Sequence, residues 1–75
     1  MENVDKIVGI ITRAGELETL APDQDFYHAG VDSMKAMDIM LDLETEFDVT
    51  VPDEQFIQAR TAVQLGEMIE RLRAG

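Results

Sequence analysis

Ser33 holds the clearest chemical position in the sequence. It follows Asp32 and opens a segment, residues 33–48, with the strongest helical period in the chain. A hydroxyl on the first turn of a helix lies where unpaired N–H groups and the helix dipole favour an anion. A phosphate attached there is held favourably; equally, Asp32 or Ser33 can simply cap the helix with a side-chain oxygen. The other chemical groups form weaker constellations. His28, Ser33 and an acid invite comparison with a hydrolase triad, but no Gly-x-Ser-x-Gly elbow surrounds Ser33. His28 instead reads as an exposed loop residue. Asp23 and Asp25 invite a Ca²⁺ loop, which needs Gly at its sixth position and Glu at its twelfth. Those places hold His28 and Met34, so no metal site is expected. The absence of cysteine removes disulfides, thiolate metal sites and a Cys nucleophile.

The elements that must position Ser33 follow from the apolar periods. Val4, Ile7, Val8 and Ile11 recur at helical spacing; Ala14 extends the stripe and Gly15 supplies a stop, predicting a first helix over residues 3–14. Residues 15–31 have no period, yet Leu17, Leu20, Phe26 and Tyr27 suggest an ordered loop pinned onto a core. In the next helix, with Asp32 as N-cap, Ala36, Met40, Leu43 and Phe47 share one arc with Ile39 beside it. Met34, Met37 and Leu41 form a second stripe about 120° away. Val49-Thr50-Val51 alternates like a strand but is too short to stand alone. Asp53 can cap a brief helix bearing Phe56 and Ile57. Thr61 and Gln64 match a capping box for a last helix striped by Ala62, Leu65, Ile69 and Leu72. Arg71 and Arg73 suit the negative end of its dipole. The fold class is all-α: three main helices and a short third helix, with a long loop between the first and second.

Length and charge bound the function. Seventy-five residues set one domain, residues 1–75, as the ceiling. Such a chain buries only about 60–65% of its unfolded surface, so its stability is modest. Sixteen acids against six bases give a net charge of −10. That charge argues against nucleic acid and anionic membranes, whose phosphates select Lys and Arg. An apolar content of 45% is too high for a disordered acidic tail. No apolar run approaches the ~20 residues of a transmembrane helix, and no signal-peptide pattern opens the chain. A cytoplasmic monomer with basic partners is expected.

A resemblance sharpens this. Pro22-Asp23-Gln24-Asp25-Phe26-Tyr27-His28-Ala29-Gly30-Val31-Asp32-Ser33 resembles the loop before the modified serine of acyl carrier proteins. Asp32-Ser33-Met34 is similar to the family's Asp-Ser-Leu signature. Residues 43–53 resemble the end of the family's second helix and its following loop, and Thr61-Ala62-Val63 the start of its last helix. The match runs in order along nearly the whole chain. It implies a four-helix acyl-carrier-type bundle with no catalysis of its own. It also implies that Ser33 carries 4′-phosphopantetheine. A phosphopantetheinyl transferase, using coenzyme A and Mg²⁺, would make the Ser33 hydroxyl attack a phosphorus of the pyrophosphate, with Asp32 part of the recognised site. Acyl or ketide groups would then ride as thioesters on the arm's thiol and be presented to biosynthetic enzymes.

The second apolar stripe fits this role as a docking face. Met34, Met37, Asp38, Leu41 and Glu44 are the candidate partner-binding residues: a small flexible apolar centre ringed by acids that steer basic patches. The sequence also departs from the family pattern. Lys35 stands where many fatty-acid carriers have an acid, Met34 replaces Leu, and Thr45 interrupts an acidic run. These favour a specialised stand-alone carrier over a housekeeping one. Gly30-Val31-Asp32 also differs from the Gly-Gly approach of peptidyl carriers, which disfavours aminoacyl cargo. The alternatives are an aminoacyl or peptidyl carrier, and an unmodified acidic helical interaction module.

Overall fold

Three long amphipathic helices enclose the apolar residues, and two one-turn helices close the gaps between them. The computed structural model describes residues 2–74; Met1 and Gly75, the ends of the expected domain, lie outside the described residues. In chain order the elements are α1 (Glu2–Gly15), α2 (Phe26–Ala29), α3 (Ser33–Phe47), α4 (Asp53–Phe56) and α5 (Ala62–Ala74). The all-α expectation holds, and the long first loop is ordered as expected. It also contains α2, which four residues without a period could not announce.

α1 packs against both α3 and α5. Being covered from two sides, it buries a wider arc than a single stripe: Ile10 joins Val4, Ile7 and Ile11 in the core. From α3 come Ala36, Ile39, Leu43 and Phe47; from α5 come Ala62, Leu65, Met68 and Ile69. Phe26, Val31, Val51 and Phe56 pin the connecting segments to the same core. Met40 and Leu72, expected inside, are only half-buried at its edge. Val49-Thr50-Val51 forms no strand and runs as a loop held by Val51.

Three helix ends differ in detail from what the sequence predicts. α1 stops through the left-handed backbone of Glu16 (φ 55°), not of Gly15. The Leu17 N–H returns to the Thr12 carbonyl at 2.9 Å, the six-to-one bond of a Schellman turn. Gly15 is small for another reason: a Cβ there would meet Val31 Cγ2 at 2.9 Å. At α4, Pro52 occupies the N-cap position without a side-chain bond and Asp53 is the first helical residue, so Asp53 does not cap. The expected capping box at α5 is present in modified form. The Gln64 N–H donates to Thr61 Oγ1 at 3.1 Å, while Gln64 Oε1 accepts from the N–H of Arg60 rather than of Thr61.

Candidate functional site at the head of α3

The site begins with a turn. α2 ends on Gly30, whose φ of 126° is open to glycine and strained for other residues. The Val31 N–H returns to the Phe26 carbonyl at 3.0 Å, and buried Val31 fixes the chain's approach to α3. Asp32 is extended, and its carboxylate accepts the Lys35 N–H at 2.9 Å. The Asp32 carbonyl accepts from Ala36 at 2.8 Å. The first-turn amides of Ser33 and Met34 are thus left without an intrahelical acceptor. Ser33 is exposed on that turn, and it is the only serine in the chain.

Beside Ser33 lies an open apolar groove of about 250 Å³, bounded by α2, α3 and α4. Tyr27, Ala36, Met37, Met40, Phe56 and Ile57 line it together with Ser33 and Asp53. The outer stripe of α3 continues from it: Met34 is 80% exposed, Met37 60% and Leu41 51%. The surplus stripe is therefore a real surface feature and packs under nothing. Asp38 is exposed beside it. Glu44 sits differently, half-buried, with Oε2 accepting the Val51 N–H at 2.8 Å. One of its oxygens ties down the loop after α3.

Several residues of this site had no signal strong enough to find them. Ile57 is 66% exposed and extends the apolar surface just past the end of α4; of the adjacent Phe56 and Ile57, only Phe56 is buried. Tyr27, Asp25 and Arg60 meet only through the fold. Arg60 Nε donates to Asp25 Oδ2 at 2.6 Å, and the guanidinium carbon lies 4.8 Å from the centre of the Tyr27 ring. Asp25 Oδ1 accepts the N–H groups of Tyr27 and His28, capping α2. The Arg60 hydrogen bond, helped by those two amides against partial burial, holds the Asp25 carboxyl below its ordinary value of 3.8. Burial raises the Tyr27 phenol. His28 is exposed as expected, but on α2 rather than in a loop. Among the described residues no three carboxylate or imidazole groups gather to hold a metal ion, and no helix is long and apolar enough to cross a membrane.

Comparison with known proteins places this architecture. Residues 5–69 match the family model described as the phosphopantetheine attachment site. The acyl carrier protein of Rickettsia bellii is 34% identical over 59 residues, covering 73% of this chain and 69% of that protein. The mitochondrial acyl carrier protein of Dictyostelium discoideum is 30% identical over 56 residues, covering 72% of this chain and 47% of its own length. Acyl carrier protein 1 from the chloroplast of Spinacia oleracea is 28% identical over 74 residues, covering 95% of this chain and 54% of its own length. The chain therefore belongs to the acyl carrier protein family, whose prosthetic group is 4′-phosphopantetheine. It spans about half the length of the D. discoideum and spinach relatives. The residues present fit that group: an exposed hydroxyl beside two free amides, at the edge of an apolar groove.

Proposed function

We propose that residues 1–75 act as one carrier domain that bears 4′-phosphopantetheine on Ser33 and presents acyl or ketide thioesters to biosynthetic enzymes. The observation that carries this reading is the exposed position of the chain's only serine on the first turn of α3. A phosphodiester at Ser33 Oγ would meet the unpaired amides of Ser33 and Met34 and the positive end of the α3 dipole. Asp32 keeps that turn formed by capping it, which holds the hydroxyl out toward a transferase. When bound, the group supplies a thiol on a flexible arm, the function that a chain without cysteine cannot provide itself.

The chain's own work is then binding and presentation, not catalysis. Met34, Met37 and Leu41 offer flexible apolar contact, and Asp38 beside them favours a partner with a basic rim. Ile57, at the end of α4, widens that face. Glu44 contributes through its remaining oxygen and by holding the following loop in place. A free thiol arm works where thiols stay reduced, which supports the cytoplasm as its compartment.

The test uses chain already bearing the arm, offered a medium-chain acyl group by an acyl-transferring enzyme. An acyl mass that neutral hydroxylamine removes is the expected result. No uptake, or an acyl group that survives hydroxylamine, overturns the carrier reading.

A further inference from the structure

α2 is a single turn, too short to persist alone, yet Tyr27 on it lines the groove beside Ser33. Besides its own cap and the buried Phe26, one residue from the loop before α5 holds it. Arg60 engages α2 three times: its carbonyl accepts the Phe26 N–H at 2.9 Å, its Nε bonds Asp25, and its guanidinium lies over Tyr27. The Phe26 ring backs Tyr27 from within the core, with ring centres 4.7 Å apart. Arg60 itself remains about half-exposed, so it fills no core space; its side chain serves the position of α2.

We propose that Arg60 is a positioning residue of this site: it fixes Tyr27 as the wall of the groove, against which an arm attached at Ser33 packs. The inference rests on the carrier reading above. Its chemistry is that of the lining. The arm begins at Ser33, itself in the lining, and its methyl and methylene segments match Ala36, Met37, Met40, Ile57 and the Tyr27 ring. Asp25 links the two duties, because one oxygen caps α2 and the other holds Arg60.

Tyr27 is the only tyrosine and the chain has no tryptophan, so its emission reports the wall directly. The experiment measures quenching by acrylamide, a neutral probe unaffected by the net charge, before and after transfer of phosphopantetheine from coenzyme A. Intact mass confirms loading, and far-UV circular dichroism confirms the fold. The proteins are wild type, Arg60→Met and Asp25→Asn; asparagine keeps a capping oxygen but loses the charge that holds Arg60. In unloaded protein with native helical signal, both variants are expected to raise the quenching constant about two- to fivefold, as released exposed cation–π and ion-pair contacts allow. Loading lowers the wild-type constant about twofold and the variants' constants less, because a packed arm shields a ring that is held in place. Unchanged quenching in the folded, unloaded variants overturns the clamp. If Arg60→Met loses its helical signal, Asp25→Asn decides alone. Equal quenching before and after wild-type loading overturns the packing of the arm. A wild type that takes up no arm sinks the carrier reading instead, and the unloaded comparison still judges the clamp.

Discussion

The two apolar faces of α3 share one helix and one period but have opposite fates. The inner face is Ala36, Ile39, Leu43 and Phe47, all buried. The outer face is Met34, Met37 and Leu41, all at least half-exposed. Composition separates them. The inner residues include a stiff β-branched side chain and a large ring, which fill a fixed volume between α1 and α3. Two of the three outer residues are methionines, which adapt to more than one surface. Burial on one side stabilises the domain, and exposure on the other leaves area for partners.

The sharpest way to break this comparison is to truncate both faces equally. Leu43→Ala is expected to cost about 2–5 kcal/mol in urea unfolding, through lost transfer energy and a cavity. Leu41→Ala should change it by less than about 0.5 kcal/mol. Similar values for the two would erase the distinction. A functional version follows. Met37→Arg should lower kcat/KM with an acyl-loading enzyme by about tenfold while the melting curve barely moves, because a like charge then faces a basic patch. Loss of helical signal in Met37→Arg would instead assign Met37 to the core.

Two backbone substitutions test the end of α1, where the chain turns toward the site. Gly15→Ala should destabilise by about 1–3 kcal/mol, since the new Cβ drives into Val31. Glu16→Gly should stabilise by about 0.5–1 kcal/mol by relieving the left-handed backbone. The reverse order would mean Gly15, not Glu16, bears the conformational demand.

The smallest effects are electrostatic. Six acids lie on or beside α3: Asp32, Asp38, Asp42, Glu44, Glu46 and Asp48. Their repulsion should ease with salt, so Tm should rise by about 2–5 °C from low to moderate ionic strength; a flat curve would remove that cost from the account. Asp25 has the opposite sign. Its carboxyl titrates lower in the folded state than its ordinary 3.8. Its contribution is thus present above that value and lost as pH falls through the folded one. The stability gap between wild type and Asp25→Asn should be constant near neutrality and close in acid. A gap that persists at the lowest pH would contradict this sign.

The long helices were legible because Val4-Ile7-Ile11, Ala36-Leu43-Phe47 and Leu65-Ile69 each repeat a period over several turns. Asp32 and Ser33 were legible because capping chemistry is local. Other features were hidden for physical reasons. α2 has one turn and therefore no period. Asp25 and Arg60 are thirty-five positions apart and meet only once α1, α3 and α5 have packed. Ile10 lies outside the stripe named for α1, and it is buried because α1 is covered by both α3 and α5. The carboxylates of α3 looked alike in sequence; the structure separates exposed Asp38 from Glu44, which is bonded to the Val51 amide.

Whether Ser33 receives the phosphopantetheine arm is decided by mass. Intact mass is recorded for wild type and Ser33→Ala after incubation with a broad-specificity phosphopantetheinyl transferase, Mg²⁺ and coenzyme A, with an established carrier alongside. A gain of one phosphopantetheine on wild type and none on Ser33→Ala is expected. No gain on wild type while the control carrier is loaded, or an equal gain on Ser33→Ala, would contradict attachment at Ser33.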